Sequence, residues 1–256
     1  MVQNNGHNPR INASDRLILA LDVPFSDAQK LMEQVGGDIS IIKINFMSFV
    51  ALLSEPESKK FLNSLTEGGK ELFLDFKFND ISNTVETYVK AISKLDYVKF
   101  CTIHGNSELM KAAAAGKNGS SSLNILIVTL LTSLDRYDLK DIMGVDSEID
   151  VKDWVKKRVE NALKYGCDGV IASGQEAEMI KDISGDKLLI VTPGIRRGFE
   201  STDDHKRAAS PTAAILAGSD YLVVGRPIYN AEDPAAETKI IIKEMQDAFD
   251  KREQSH

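Results

Sequence analysis

ELFLDFKFND, residues 71–80, decides the fold. Leu72, Phe73, Leu74 and Phe76 make a near-continuous apolar run with no polar face, as expected of a strand buried on both sides in a parallel sheet. Charge then arrives at one end: Asp75 and Lys77 close the run and Asp80 lies just beyond it. Because all strands of a parallel barrel end on the same face, an apolar strand finished by charge predicts a polar site on that rim.

Runs of the same kind recur at 16–23, 39–45, 97–104, 123–130, 169–172, 187–191 and 221–224, so the chain carries eight candidate strands with 71–76 included. Helical spacing fills the intervals: Ala28, Leu31, Met32 and Val35 form one stripe, and Val85, Val89, Ile92 and Leu95 another. Eight strand–helix repeats predict an α/β fold, a (β/α)8 TIM barrel, rather than an open doubly wound sheet. The expected limits are a flexible extension over 1–14, a single barrel domain over 15–250 and a polar tail over 251–256. Two long irregular stretches, 132–149 and 193–211, both follow strands and so belong to the active rim. Residues 112–122, AAAAGKNGSSS, read as a helix end and a Gly/Ser turn.

Composition excludes several function classes. Hydrophobic residues make up 43% and charged residues 27%, and the two cysteines, Cys101 and Cys167, sit in apolar segments without metal-binding or disulfide spacing. Net charge is -7 with no basic run, which argues against nucleic acid as a partner. No apolar run is long enough to cross a bilayer, and the polar N-terminus carries no apolar signal core, so a cytoplasmic location is expected.

Polar residues repeatedly close the apolar runs. Asp22 ends the first, Lys43 sits in IIKIN, His104 ends the fourth, Thr132 and Ser133 follow the fifth, and Arg226 follows the eighth. Each alone has an ordinary explanation, since an Asp at a strand end commonly caps a turn and a lone Lys is commonly solvated. Together they point to a site, because buried charges are costly unless paired and here opposite signs recur where pairing is possible. Asp75 and Lys77, two apart, would share a face of an extended strand, and Lys43 on the neighbouring strand could reach Asp75. With Asp80 the set would alternate Lys–Asp–Lys–Asp, each ammonium holding its neighbouring carboxylate in the charged form. A second signal is anionic: Gly225 ends the last strand where backbone N–H groups could meet a phosphate, the following helix could aim its positive end there, Arg226 adds a forked donor, and Pro193–Gly194 begin the loop after the seventh strand.

These residues resemble the orotidine 5′-phosphate decarboxylase family. DFKFND matches its D-x-K-x-x-D signature, and LALDV, IIKIN, TIHG, LTSL, VTPGIR and VVGRPI follow in the family's order and spacing from Arg16 to the last helix. The resemblance implies decarboxylation of orotidylate to UMP without metal or cofactor, on a homodimer whose active sites are shared. It implies Lys43, Asp75, Lys77 and Asp80 as a charged catalytic tetrad, with Lys77 donating a proton to C6 and Asp80 supplied by the partner subunit. It further implies Asp22 and Thr84 at the ribose, Ser133 and Pro193 at the pyrimidine, and Gly194, His205, Gly225 and Arg226 at the phosphate end.

Three positions depart from the pattern. Asn45 stands where a Gly commonly follows the lysine, His205 where relatives often carry a phosphate-gripping Gln, and Ser82 where a Pro often starts the next helix. The rival readings are a Mg²⁺-dependent sugar-phosphate decarboxylase or aldolase of the same fold, which would carry a metal-binding Glu in place of Lys43, and a non-catalytic phosphate-binding barrel.

Overall fold

The computed structural model describes residues 11–54, 56–119, 122–131, 134, 136–143, 150–197 and 208–254. Each apolar run forms a strand: β1 (Leu17–Ala20), β2 (Ile41–Asn45), β3 (Glu71–Phe78), β4 (Val98–Ile103), β5 (Asn124–Val128), β6 (Gly169–Ile171), β7 (Leu189–Thr192) and β8 (Tyr221–Val224). All neighbours pair in parallel, and β1 pairs with both β2 and β8, which closes the sheet into a barrel in chain order. The helices between and after the strands are α1 (Phe25–Val35), α2 (Phe46–Ser54), α3 (Pro56–Glu67), α4 (Ser82–Ile92), α5 (Ser107–Lys117), α6 (Arg136–Met143), α7 (Val151–Tyr165), α8 (Ala177–Ser184), α9 (Pro211–Leu216), α10 (Arg226–Tyr229) and α11 (Pro234–Gln254). The expected (β/α)8 barrel is therefore the observed architecture.

Two apolar layers explain why the runs read as continuous. Ile18, Ala20, Ile41, Phe73, Phe100, Leu126, Val191, Tyr221 and Val223 form one cluster, the barrel interior. Alternate residues such as Leu17, Leu19, Ile42, Ile44, Leu72 and Leu74 join the larger cluster between sheet and helices. The inner series of β2 and β3 continue upward through Lys43 and Asp75, so alternation along each strand puts charge inside the mouth of an otherwise apolar barrel.

Local signals set the helices. Ala28, Leu31, Met32 and Val35 are the buried face of α1, and Val85, Val89 and Ile92 that of α4, as their spacing predicts. Asn106 caps α5, which ends in left-handed Asn118; Asp150 caps α7, which ends in left-handed Gly166. The structure differs from expectation at three places. Part of the stretch read as irregular is helical, as α6, a short helix of largely polar sequence. Residues 11–14 pack rather than hang free: Gln246 of α11 accepts from the Ala13 N–H at 3.0 Å and donates to the Ile11 carbonyl at 2.9 Å. α11 continues to Gln254, into the segment read as a tail. Cys101 and Cys167 are buried free thiols, each pushed up to about 12 in pKa, chiefly by burial.

The barrel floor is closed by size matching. Gly169 opens β6, and a Cβ there would lie 2.5 Å from the Leu189 carbonyl oxygen and 2.8 Å from Leu126 Cδ2. Gly169→Ala is therefore expected to destabilise the fold by about 1–3 kcal/mol through overpacking. Thermal unfolding checks this: the midpoint should fall by several degrees, and an unchanged midpoint would mean that the floor has slack.

Candidate active site

Four side chains from three adjacent strands meet inside the mouth. Lys43 Nζ donates to both oxygens of Asp22 at 3.1 Å and lies 3.6 Å from Asp75 Oδ2. Asp75 Oδ2 in turn accepts from Lys77 Nζ at 2.8 Å. Within one chain the alternating array is thus Asp22–Lys43–Asp75–Lys77. Asp80 lies outside it, exposed beyond β3, with its carboxylate accepting from the Ile81 N–H at 2.7 Å.

Asp75 and Lys77 converge, but not by plain strand alternation. Lys77 has φ 49°, in the left-handed region that non-glycine residues rarely occupy. The cause is a bulge: from Leu74 to Phe78 on β3, the partner strand β4 advances only from Cys101 to Ile103. The bulge turns the Lys77 N–H out of the ladder, where Thr102 Oγ1 accepts it at 2.9 Å. The same hydroxyl donates to Asp75 Oδ1 at 3.0 Å. Thr102 fixes both the strained backbone of Lys77 and the carboxylate beside it. Sequence reading missed this residue. Its only signal is its inward position, two residues past Phe100 on β4.

Asn45 is the second residue that sequence reading undervalued. Its Nδ2 donates to Asp22 Oδ1 at 2.8 Å, and its Oδ1 accepts from the Ser48 N–H at 2.8 Å, capping the first turn of α2. A glycine here could do neither.

Electrostatics keep Asp75 charged. Burial pushes its pKa up, but Lys43, Lys77 and the hydrogen bonds from Lys77 and Thr102 outweigh it, and the net shift is downward. A depressed carboxylate contributes stability above the unfolded-state pKa, and that contribution is lost as pH falls through the folded value. His104 has its pKa lowered by burial and by the charges of Arg158 and Lys77, so its imidazole is neutral at physiological pH. It is not among the described residues that line the cavity.

The array opens into a cavity of about 590 Å³. Ala20, Phe73, Val128, Leu131, Ile171 and Val223 supply its apolar wall. Pro193, Gly194, Arg196, Gly225, Arg226 and Tyr229 line it from β7 and β8, across the barrel from β2 and β3. Gly194 has φ 76°, as a Pro-Gly turn requires. An Ile195–Ala209 bridge, with the Arg196 N–H donating to the Ala209 carbonyl at 2.9 Å, draws the two limbs of this loop together. Arg196 was not anticipated from the sequence. The helix after β8 is a single turn with Pro227 at its start, so it supplies little of the positive end expected of it. Ser133, Thr132 and His205 lie outside the described residues. Thr84, half-buried on α4, and Asp80 are not among the described residues that line the cavity. The described residues contain no group of His, Cys, Asp and Glu that could hold a metal ion.

An array of two ammonium groups and two carboxylates beside an apolar wall can hold a planar ring and stabilise negative charge as it develops. It can also deliver a proton. The profile of the Orotidine 5'-phosphate decarboxylase / HUMPS family matches residues 15–241. An orotidine 5'-phosphate decarboxylase of Nitrobacter winogradskyi is 43% identical over 238 residues, 93% of this chain and 95% of the relative. The enzyme of that name from Methylococcus capsulatus is 39% identical over 94% of this chain and 96% of its own length. The crystal structure of orotidine 5'-phosphate decarboxylase from Lactobacillus acidophilus superposes with a TM-score of 0.74 at 32% identity, covering 90% of this chain and 99% of that one.

The opposing influences on Asp75 give a direct test of the array. With Lys43→Met, burial loses its strongest counterweight, and the Asp75 carboxyl is expected to titrate at higher pH than in the unmodified protein. A ¹³C carboxyl titration reads this. Superimposable curves would mean that Lys43 does not hold Asp75 in its charged form.

Proposed function

We propose that this chain, which belongs to the Orotidine 5'-phosphate decarboxylase / HUMPS family, is a carboxy-lyase that converts orotidylate to UMP and CO₂. One observation carries the reading: Lys77 Nζ, 2.8 Å from Asp75, stands at an apolar wall with guanidinium groups across the same cavity. In this reading the nucleotide phosphate lies against Arg226, Arg196 and the backbone at Gly225. The ribose hydroxyls meet Asp22 and Lys43, and the pyrimidine lies along the apolar wall beside Pro193. The family resemblance alone assigns Ser133 to the ring and His205 to the phosphate.

The chemistry follows from the array. The C6–carboxylate bond breaks, CO₂ departs, and the electron pair stays on C6, where it cannot spread into the ring π-system. The Lys77 ammonium offsets that charge as it forms and then transfers its proton to C6, leaving a neutral amine that regains a proton from water. Asp75, beside the departing carboxylate, holds the ammonium in place. No metal or organic cofactor enters these steps. A reaction of this kind belongs to UMP synthesis in the cytoplasm.

The Mg²⁺-dependent alternative needs an acidic ligand set open to a cation. Here the Lys43 ammonium lies between Asp22 and Asp75, and it would repel one. A binding-only barrel would have no use for a strained lysine braced by Thr102.

A homodimer is also proposed. Phe46, Met47, Val50, Leu53, Ile81 and Tyr88 are exposed. Ring contacts Phe46–Phe76, Phe76–Phe78 and Phe78–Tyr88 join α2, β3 and α4 into one apolar strip. A strip of this kind beside Asp80 and Thr84 suits a second copy of the chain, which would bring its own Asp80 to the site.

Lys77→Ala is expected to abolish turnover of orotidylate, followed by ultraviolet absorbance, while UMP still binds; the unmodified chain should be fully active in EDTA. Activity in the variant equal to the parent would remove Lys77 from the chemistry, and activity lost in EDTA but restored by Mg²⁺ would favour the metal-dependent alternative. The shared site has its own test. Lys77→Ala and Asp80→Ala chains, each inactive alone, are expected to regain activity when mixed and exchanged, because one site of the mixed dimer is complete. No recovery despite subunit exchange would place Asp80 in its own chain's site.

A further inference from the structure

Tyr229 ends α10, one turn after Gly225, and its N–H donates to the Gly225 carbonyl at 3.1 Å. Its ring is fixed against that glycine: a Cβ on Gly225 would lie 3.2 Å from Tyr229 Cε1 and 3.2 Å from Ala20 Cβ. The ring therefore sits at the mouth between β8 and β1, in the wall of the same cavity as Asp22, Arg196 and Arg226. Asp22 lines that wall as a carboxylate and Arg196 and Arg226 as guanidinium groups, so the phenol shares one cavity with both signs of charge. Among the described residues the hydroxyl makes no hydrogen bond, although a half-buried phenol usually finds a partner. Burial first, and then Asp22, push its pKa up, so it remains a donor across the neutral range.

Ring packing alone does not call for a tyrosine. A phenylalanine would fill the same space beside Ala20 and Gly225, and what distinguishes Tyr229 is a hydroxyl donor on a residue that lines the cavity together with Arg196 and Arg226. We infer that Tyr229 is a further substrate-binding residue whose hydroxyl donates to the ribose 5′-phosphate end of the nucleotide, an inference that rests on the proposed reaction. A neutral donor to a phosphate oxygen forms a charge-assisted hydrogen bond and complements the two guanidinium groups without adding a further charge to the site.

Tyr229→Phe keeps the ring and removes the donor. For this variant the KM for orotidylate and the Kd of UMP, by calorimetry, are expected to rise about tenfold, with kcat falling much less. The deficit should shrink on orotidine, which lacks the phosphate, and the thermal midpoint should stay within a degree or two of the parent. Unchanged KM and Kd would reduce Tyr229 to a packing residue, and an equal deficit on nucleotide and nucleoside would show that the hydroxyl does not serve the phosphate end. An unmodified chain that does not turn over orotidylate would instead overturn the reaction itself, a result read before any variant is compared.

Discussion

The Lys43 ammonium, shared between carboxylates from the strands on either side of it, is the interaction on which the site rests. Lys43 is buried, and a buried ammonium persists only with charge and hydrogen bonds to meet it. Asp22 and Asp75 supply both, from β1's end and from β3. Each of those carboxylates is steadied in turn by a neutral partner, Asn45 for the first and Thr102 for the second. Charge and polar support alternate across four strands, so none of the groups can turn away without stranding another. This gives the mouth fixed electrostatics before any ligand enters, which is the condition under which charge stabilisation is most effective.

The second constraint is a local departure from regular structure. β3 is bulged against β4, and Lys77 takes a backbone conformation that costs on the order of 1–3 kcal/mol. The surrounding structure over-determines it: Thr102 accepts its N–H, Asp75 accepts from its ammonium, and His104 donates its N–H to the Phe78 carbonyl just beyond. Within β3 the left-handed backbone falls at Lys77, the residue that the proposed reaction makes the proton donor, while Leu72, Phe73 and Leu74 below it are buried. The polar ends of β4 and β5 are anchored from outside the barrel as well. Trp154 on α7 donates to the Thr129 carbonyl, and Arg158 donates to the carbonyls of Gly105 and Val128.

The rim divides by chemistry as well as by strand. Strands β1 to β3 carry the alternating charges and, on the outside, the exposed apolar strip of α2 and α4. The loops after β7 and β8 carry the guanidinium groups and the glycines that let backbone approach a ligand. In the proposed reaction a substrate with an anionic tail and a planar head would span that division, the tail anchoring the head where the charge must develop.

The eight apolar runs were legible in the chain because burial on both faces leaves no polar alternation, and closure followed from their number and from the helices between them. The charged residues at the ends of those runs were legible for the same reason: against an apolar background a charge has few places to be. What the linear order could not supply was which charges share a site. Asp22 completes the array within one chain while Asp80 stands outside it, and that depends on three-dimensional neighbours rather than on spacing along β3. Thr102, Arg196 and Tyr229 escaped notice, and Asn45 was noted only as a departure, because a hydroxyl, a loop arginine, a phenol and an amide are ordinary in composition and become meaningful only beside a particular partner. The left-handed turn at Lys77 was equally hidden, since a bulge arises from how two strands pair and is written in neither alone. Periodic burial, a property of consecutive residues, fixed the barrel; convergence, a property of residues distant in the chain, was decided only once the barrel closed.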